Sequence, residues 1–227
     1  MITHVPRYLC IGNDHSMHLD YEASPHLAQS DAVLVLDCDV PWIPATDPVN
    51  PDAKVIHLAQ DPLFSRYPIR SFPATLSIAA KPEAALPQLN DAMAETDPSK
   101  SKVRRTRVAN VRQSVRDKWQ KVGENAKNAE PIHPAWLAKC VGKYLDDNTI
   151  LVNEMGVVPM HAGINKPGRY FGPSPAGGLG WGLGAALGAK LAAPEKLCAH
   201  LLGDAAMGKV ARDMETAARE NIPILTV

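Results

Sequence analysis

The stretch Ala176-Gly-Gly-Leu-Gly-Trp-Gly-Leu-Gly-Ala-Ala-Leu-Gly-Ala-Lys-Leu191, followed by Gly203-Asp204-Ala205 at the end of an apolar run, constrains this chain more than any other feature. A glycine-rich turn opens a helix of small residues, and a short strand expected over Leu197 to Leu202 then ends in an aspartate. An α/β protein uses that arrangement to aim backbone N–H groups and a carboxylate at a diphosphate and its metal. The early glycines make a flat turn without side chains. Gly184, Ala185, Gly188, Ala189 and Ala192 are expected to let the helix lie close to a sheet.

The rest of the sequence supplies such a sheet. Ala32 to Leu36, Lys54 to Leu58 and Ala74 to Ile78 are short apolar runs bounded by Pro, Asp or Asn, as buried parallel strands are. A helix is expected from Glu83 to Glu95, with Pro87 delaying its start. Between Asp97 and Glu130 the composition turns basic, with Lys100, Arg104, Arg105, Arg107, Arg112 and Arg116 in one stretch. Trp119 is the lone aromatic there, and the whole chain has a formal net charge of +0, so a solvated linker helix is favoured over a nucleic-acid surface.

Beyond Pro131 a second α/β unit begins. Pro134 suits the first turn of a helix whose apolar stripe is Leu137, Cys140, Val141, Tyr144 and Leu145. Thr149 to Val152 is a strand, and a last helix carries Met207, Val210, Ala211, Met214, Ala217 and Ala218 on one face. Ile224 to Val227 starts another strand, expected to be buried, where a free carboxylate would cost several kcal/mol. The chain therefore reads as a fragment of a longer protein or the product of a disrupted gene. No run approaches the roughly 18 apolar residues of a membrane span. The four cysteines, Cys10, Cys38, Cys140 and Cys198, lack metal-ligand spacing, which points to a reduced cytoplasmic protein.

Gly182-x-Gly184-x-x-x-Gly188 with Asp204 further on also admits a dinucleotide fingerprint. That fingerprint follows directly on a hydrophobic strand, whereas this run follows Tyr170-Phe-Gly-Pro-Ser-Pro175, which cannot be a central strand.

From Val152 to Val227 the chain resembles the diphosphate-binding domain of thiamine-diphosphate enzymes of the acetolactate synthase and benzoylformate decarboxylase group. The pieces that carry the resemblance are Asn153-Glu154, Pro167 to Gly172, Ser174-Pro-Ala-Gly-Gly-Leu-Gly180, Gly203-Asp204-Ala205 and Glu215 to Thr226. Upstream, Ser30 to Pro44 and Asp61-Pro-Leu-Phe64 resemble that family's central domain. The resemblance implies an α/β fold of two incomplete parallel-sheet units, Rossmann-like and of the thiamine-diphosphate-binding kind, joined by a basic helical linker. Residues 1–96 would be a partial central domain, 97–130 the linker, and 131–227 the thiamine-diphosphate- and Mg-binding domain, truncated at its C-terminus.

By the same resemblance Asp204 binds the Mg²⁺ that bridges the cofactor's phosphates, flanked by Gly203 and by Ala205, where the family has glycine. The methyl of Ala205 matters little if its φ is negative and more if it is positive. Leu179 matches the bulky residue that props the cofactor into a bent shape, and Gly177, followed by Gly178, matches the carbonyl that accepts from its aminopyrimidine. His15 lies where the family often has a His-Pro turn near substrate, with Ser16 in place of the proline, and is the catalytic candidate. Glu154 is assigned packing or loop bonding rather than a direct role, and His161 no more. The glutamate that polarises the pyrimidine and the second magnesium ligand have no counterpart here.

The expected function is a thiamine-diphosphate- and Mg-dependent carboligase or decarboxylase of 2-keto acids, acetolactate synthase-like, present as an inactive fragment. Its substrate is a small 2-keto acid or related acyl donor, and the full-length form is a homo-oligomer without nucleic-acid or membrane partners. The residues leave FAD in the central domain open. Two rivals remain: a non-catalytic remnant that binds diphosphate or the intact enzyme, and an NAD-dependent oxidoreductase.

Overall fold

Short apolar runs become parallel strands in both halves of the chain. The computed structural model describes residues 1–68, 72–94, 97–155, 159–173 and 177–227, with the side chains of residues 98 and 100 excepted. It divides into two compact units, Glu22–Arg107 and, together, Met1–Tyr21 with Val108–Val227.

The Glu22–Arg107 unit starts with α1 (Ser24–Leu27) and holds a sheet in the order β1 (Ala32–Leu36), β2 (Lys54–Ala59), β3 (Leu76–Ala79). Both pairings are parallel, with Ala32 opposite Lys54 and Ile56 opposite Leu76. The central strand is the most buried: Val55, His57, Leu58 and Ala59 are all enclosed. Helix α2 (Pro82–Ala94) follows, and Pro87 lies inside it rather than delaying its start. A proline one turn in removes a bond only near the helix's own N-terminus. Glu95, the expected helix end, lies outside the described residues.

In the other unit the sheet runs β5 (Tyr170–Phe171), β4 (Thr149–Asn153), β6 (Leu197–Leu201), β7 (Leu225–Thr226), all parallel. Every residue of β4 is buried, as a central strand covered on both faces should be. Helix α5 (Trp181–Ala192) packs on β4 and β6. Helix α6 (Asp204–Arg219) buries Ala206, Val210 and Ala217, so its inner stripe is rotated from the expected one and Ala211 and Ala218 face out. Helix α4 (Pro134–Gly142) has Pro134 in its first turn and buries Ala135 and Ala138. Val141 and Leu145 of its expected stripe do pack against the core, but Tyr144 is exposed past the helix end.

Residues 1–21, expected with the first sheet, belong to the unit of the second. Tyr8 forms an antiparallel bridge to Phe171 on the edge strand β5, and the Gly172 N–H donates to the Arg7 carbonyl at 2.6 Å. Leu9 and Tyr21 join Leu151, Ala162, Ile164, Tyr170, Ala199 and Leu201 in the core.

Helix α3 (Pro98–Asn125) crosses the boundary between the units after Arg107 and is not solvated throughout. Val115 and Trp119 pack in the core. The Arg116 guanidinium donates to the carbonyls of Asn13 at 2.6 Å and His18 at 3.2 Å, lies 3.0 Å from His18 Nδ1, and stacks 4.0 Å over the Trp119 ring. Because arginine can only donate, His18 Nδ1 accepts and its ring proton sits on Nε2. Burial and then the charge of Arg116 press the His18 pKa down to about 4.

Val227 donates from its N–H to the His200 carbonyl at 2.9 Å but is half exposed, as is Leu225. The expected burial of this strand is therefore not observed, because β7 is the sheet's edge.

Candidate functional site

The strands β4 and β6 end side by side, with Asn153 opposite Leu201, and the next residues carry the chemistry. Clefts at the carboxyl ends of parallel strands are where open α/β sheets bind ligands. Glu154 follows β4 directly. Its N–H donates to the Leu201 carbonyl at 2.9 Å, which turns its side chain under the start of α5. There the carboxylate, almost wholly enclosed, accepts from the Gly180 N–H at 2.5 Å and the Gly182 N–H at 3.0 Å. Unpaired N–H groups and the positive end of a helix dipole attract a negative charge. Here the anion is supplied by the chain itself.

The ring of His200, fully buried on β6, places Nε2 at 3.6 Å from Glu154 Oε2, beyond hydrogen-bond range. Burial holds its pKa below the usual histidine value, against the pull of Glu154. The pair explains a glycine: a Cβ on Gly182 would lie 2.5 Å from His200 Nε2 and 2.7 Å from Glu154 Oε2. Gly184 and Gly188, by contrast, are exposed with open space around them, so they do not let the helix approach the sheet as expected. The close approach is made by Gly182, Leu183 and Ala186, the residues of α5 that are buried.

The preceding turn is shaped by Gly177 at φ +65° and by Gly180 at φ +96°. A Cβ on Gly180 would lie 2.8 Å from Val210 Cγ1, so the turn rests against α6. Gly177 and Gly178 border open space, and Leu179 is partly exposed on the same turn. Residues 174–176 of the expected motif lie outside the described residues. Asp204 is the first residue of α6, exposed, with Gly203 as N-cap at φ −86° and no side-chain cap. Its Oδ1 accepts from the Ala205 N–H at 2.7 Å. Ala205 is helical and not among the residues with positive φ, so its methyl group is accommodated.

The structure thus brings Gly177, Gly178, Leu179, Gly203, Asp204 and Ala205 onto two neighbouring elements. It places His15 elsewhere: on an exposed turn that the Arg112 and Arg116 side chains of α3 hold through the Asp14 and Asn13 carbonyls. His15 Nδ1 accepts from the Met17 N–H at 3.1 Å. In the other unit an open cavity of about 680 Å³ lies around the carboxyl ends of β2 and β3, between Gln60, Asp61, Arg66 and Ser77.

No group of three or more His, Cys, Asp or Glu side chains among the described residues could hold a metal by itself. Magnesium bound to a diphosphate needs only one or two protein carboxylates, because phosphate and water oxygens complete its octahedron. One exposed carboxylate at a helix N-terminus fits that donor set. No helix among the described residues is long and apolar enough to cross a membrane.

Residues 154–227 match the sequence profile of the family described as "Thiamine pyrophosphate enzyme, C-terminal TPP binding domain". Human 2-hydroxyacyl-CoA lyase 2 is 34% identical over 126 residues, covering 53% of this chain and 20% of the lyase. The acetolactate synthase isozyme 3 large subunit of Escherichia coli K12 is 23% identical over 225 residues, 93% of this chain and 37% of the synthase. The crystal structure of benzoylformate decarboxylase from Polynucleobacter necessarius shares the fold with a TM-score of 0.69 at 14% identity, over 99% of this chain and 42% of that one. The chain therefore spans about a fifth to two fifths of the length of these relatives.

Proposed function

With a thiamine pyrophosphate enzyme C-terminal domain over residues 154–227 as the premise, we propose that this chain holds thiamine diphosphate and Mg²⁺ between the 177–180 turn and the N-terminus of α6. The observation that carries the reading is Asp204, an exposed carboxylate on the first residue of α6, beside a turn packed on the same helix through Gly180 and Val210. Asp204 takes the metal, and the positive end of α6 faces the phosphates. Gly177 would accept from the aminopyrimidine through its carbonyl, and Leu179 would support the ring system. The chemistry supplied by the bound cofactor is stabilisation of negative charge at an acyl carbon.

The reaction we assign is carboligation or decarboxylation of a 2-keto acid or related acyl donor, by the full-length, oligomeric form in the cytoplasm. Turnover is assigned to that form, and cofactor binding to these residues. The dinucleotide alternative is disfavoured by Glu154. A pyrophosphate at the N-terminus of α5 would meet a buried carboxylate already bonded to the Gly180 and Gly182 N–H groups.

Calorimetric titration of the chain with thiamine diphosphate, with and without Mg²⁺, tests the proposal. Binding that requires Mg²⁺ and disappears in Asp204→Ala supports it. Binding of NAD⁺ with no response to thiamine diphosphate would favour an oxidoreductase. Diphosphate binding without exchange of the thiazolium C2 proton would favour a remnant.

A further inference from the structure

Between the carboxyl end of β4 and the start of α5, one buried side chain joins the sheet to the 177–180 turn. We propose that Glu154 is a positioning residue for that turn: its carboxylate fixes the first amides of α5 from beneath, and so sets where Gly177 and Leu179 stand. The proposal rests on the cofactor reading above and extends it to a residue that would not touch the ligand.

The N-terminus of α5 lacks an ordinary cap. Its N-cap residue is Gly180, with no side chain to accept from the following amides. The first amides of such a helix have no partner within it and must be satisfied by water, a ligand or a side chain from elsewhere. Here a carboxylate 26 residues earlier in the chain does the capping, through two charge-assisted bonds in a site closed to water. Burying a carboxylate is costly, and the nearest ring nitrogen, His200 Nε2 at 3.6 Å, lies beyond hydrogen-bond range, with burial holding that histidine's pKa below the usual value. The two amides and the helix dipole are therefore what hold the charge.

The turn has little freedom to find another seat. Gly180 is held at positive φ against Val210, and Gly182 is pressed on His200 and Glu154. Asp204 bonds its own helix instead, through the Ala205 N–H. The phosphate end of the site is thus built independently of Glu154, and the ring end depends on it.

This division gives a readout that a general loss of structure would not produce. Wild type and Glu154→Gln are titrated with thiamine diphosphate and, separately, with inorganic diphosphate, both with Mg²⁺. Gln keeps the shape and one acceptor but turns an NH₂ group toward the other amide. Thiamine diphosphate is expected to bind the variant more weakly by about tenfold, on the scale of one charge-assisted hydrogen bond. Inorganic diphosphate should bind both proteins alike. Equal weakening of both ligands, or of neither, overturns the proposal. If wild type binds neither, the cofactor reading itself falls.

A second measurement does not depend on the variant folding. In the ligand-free wild-type chain the amide protons of Gly180 and Gly182 should exchange slowly with solvent. Fast exchange that becomes slow only when thiamine diphosphate is added would show that the cofactor orders the turn, and would refute a role for Glu154.

Discussion

Two glycines on one helix should respond oppositely to the same substitution. Gly182→Ala places a methyl group 2.5 Å from His200 Nε2, 2.7 Å from Glu154 Oε2 and 2.9 Å from Glu154 Cβ. Neither neighbour can swing aside, since the imidazole is fully buried and the carboxylate is held by two amides. Overpacking in a closed core costs about 1–3 kcal/mol. Losing one of the charge-assisted bonds adds about 1.5–3 kcal/mol. Together these amount to about 2.5–6 kcal/mol, and the roughly 1 kcal/mol that alanine gains over glycine in a helix leaves a net loss of about 1.5–5 kcal/mol. Gly184→Ala meets no atom within 4 Å and should realise that helix gain in full, making the protein more stable. Urea unfolding of the two variants and wild type, compared at equal m-values, measures both effects. If Gly182→Ala were as stable as wild type, or Gly184→Ala the more damaging change, α5 would have to face the sheet with another side, and the Glu154 cap would be wrong.

Other outcomes follow from the same geometry. Asp204→Ala, at an exposed position, should alter stability by less than about 0.5 kcal/mol while abolishing Mg²⁺-dependent thiamine diphosphate binding; a large drop in melting temperature would contradict it. If Leu179 supports the ring system as proposed, Leu179→Ala should weaken thiamine diphosphate but not inorganic diphosphate in calorimetry, and, its side chain being exposed, without a loss of stability. His18 is packed against Tyr21 and Arg116, and the charges of Arg116, the Met1 amine and Arg112 outweigh that of Asp20. Its folded pKa of about 4 lies below the ordinary 6.5, so its contribution to stability is complete above 6.5 and is lost as the pH falls toward 4. The full loss amounts to about 3 kcal/mol. Denaturant curves across that window should show this slope in wild type and lack most of it in His18→Gln. Arg116→Lys should cost about 2 kcal/mol in the same assay, since an ammonium cannot both bond the Asn13 and His18 carbonyls and stack on Trp119.

The elements legible in the sequence were those with a hydropathy signal. The runs at Ala32, Lys54 and Thr149 fold as strands because their β-branched and leucine residues fill sheet interiors. The burial of helix α3 was not legible because its inward stripe passes through Val108, Arg112, Val115, Arg116, Trp119 and Gly123. The spacing is helical, but arginine and glycine hide it from any reading based on apolar residues. The glycine turn and Asp204 could be read because glycine and a strand-end carboxylate have few other uses. Which glycine carries the contact could not, because Gly182, Gly184 and Gly188 look alike until the helix is rotated against β6. Glu154 reads as a packing or loop-bonding residue, but its two partners, Gly180 and Gly182, lie far along the chain at the start of α5, and no local pattern names them.

Residues 1–21 and 108–227 form one unit with the other unit spliced between them in sequence. During synthesis the first segment leaves the ribosome long before its partners exist. Tyr8 waits for Phe171, and Leu9 and Tyr21 wait for Trp119, Leu151 and Tyr170. The intervening residues can close their own sheet in the meantime, since β1, β2 and β3 pair only with one another. The middle residues can thus order first, and the segment at residues 1–21 can reach the edge of β5 only after Phe171 has been made.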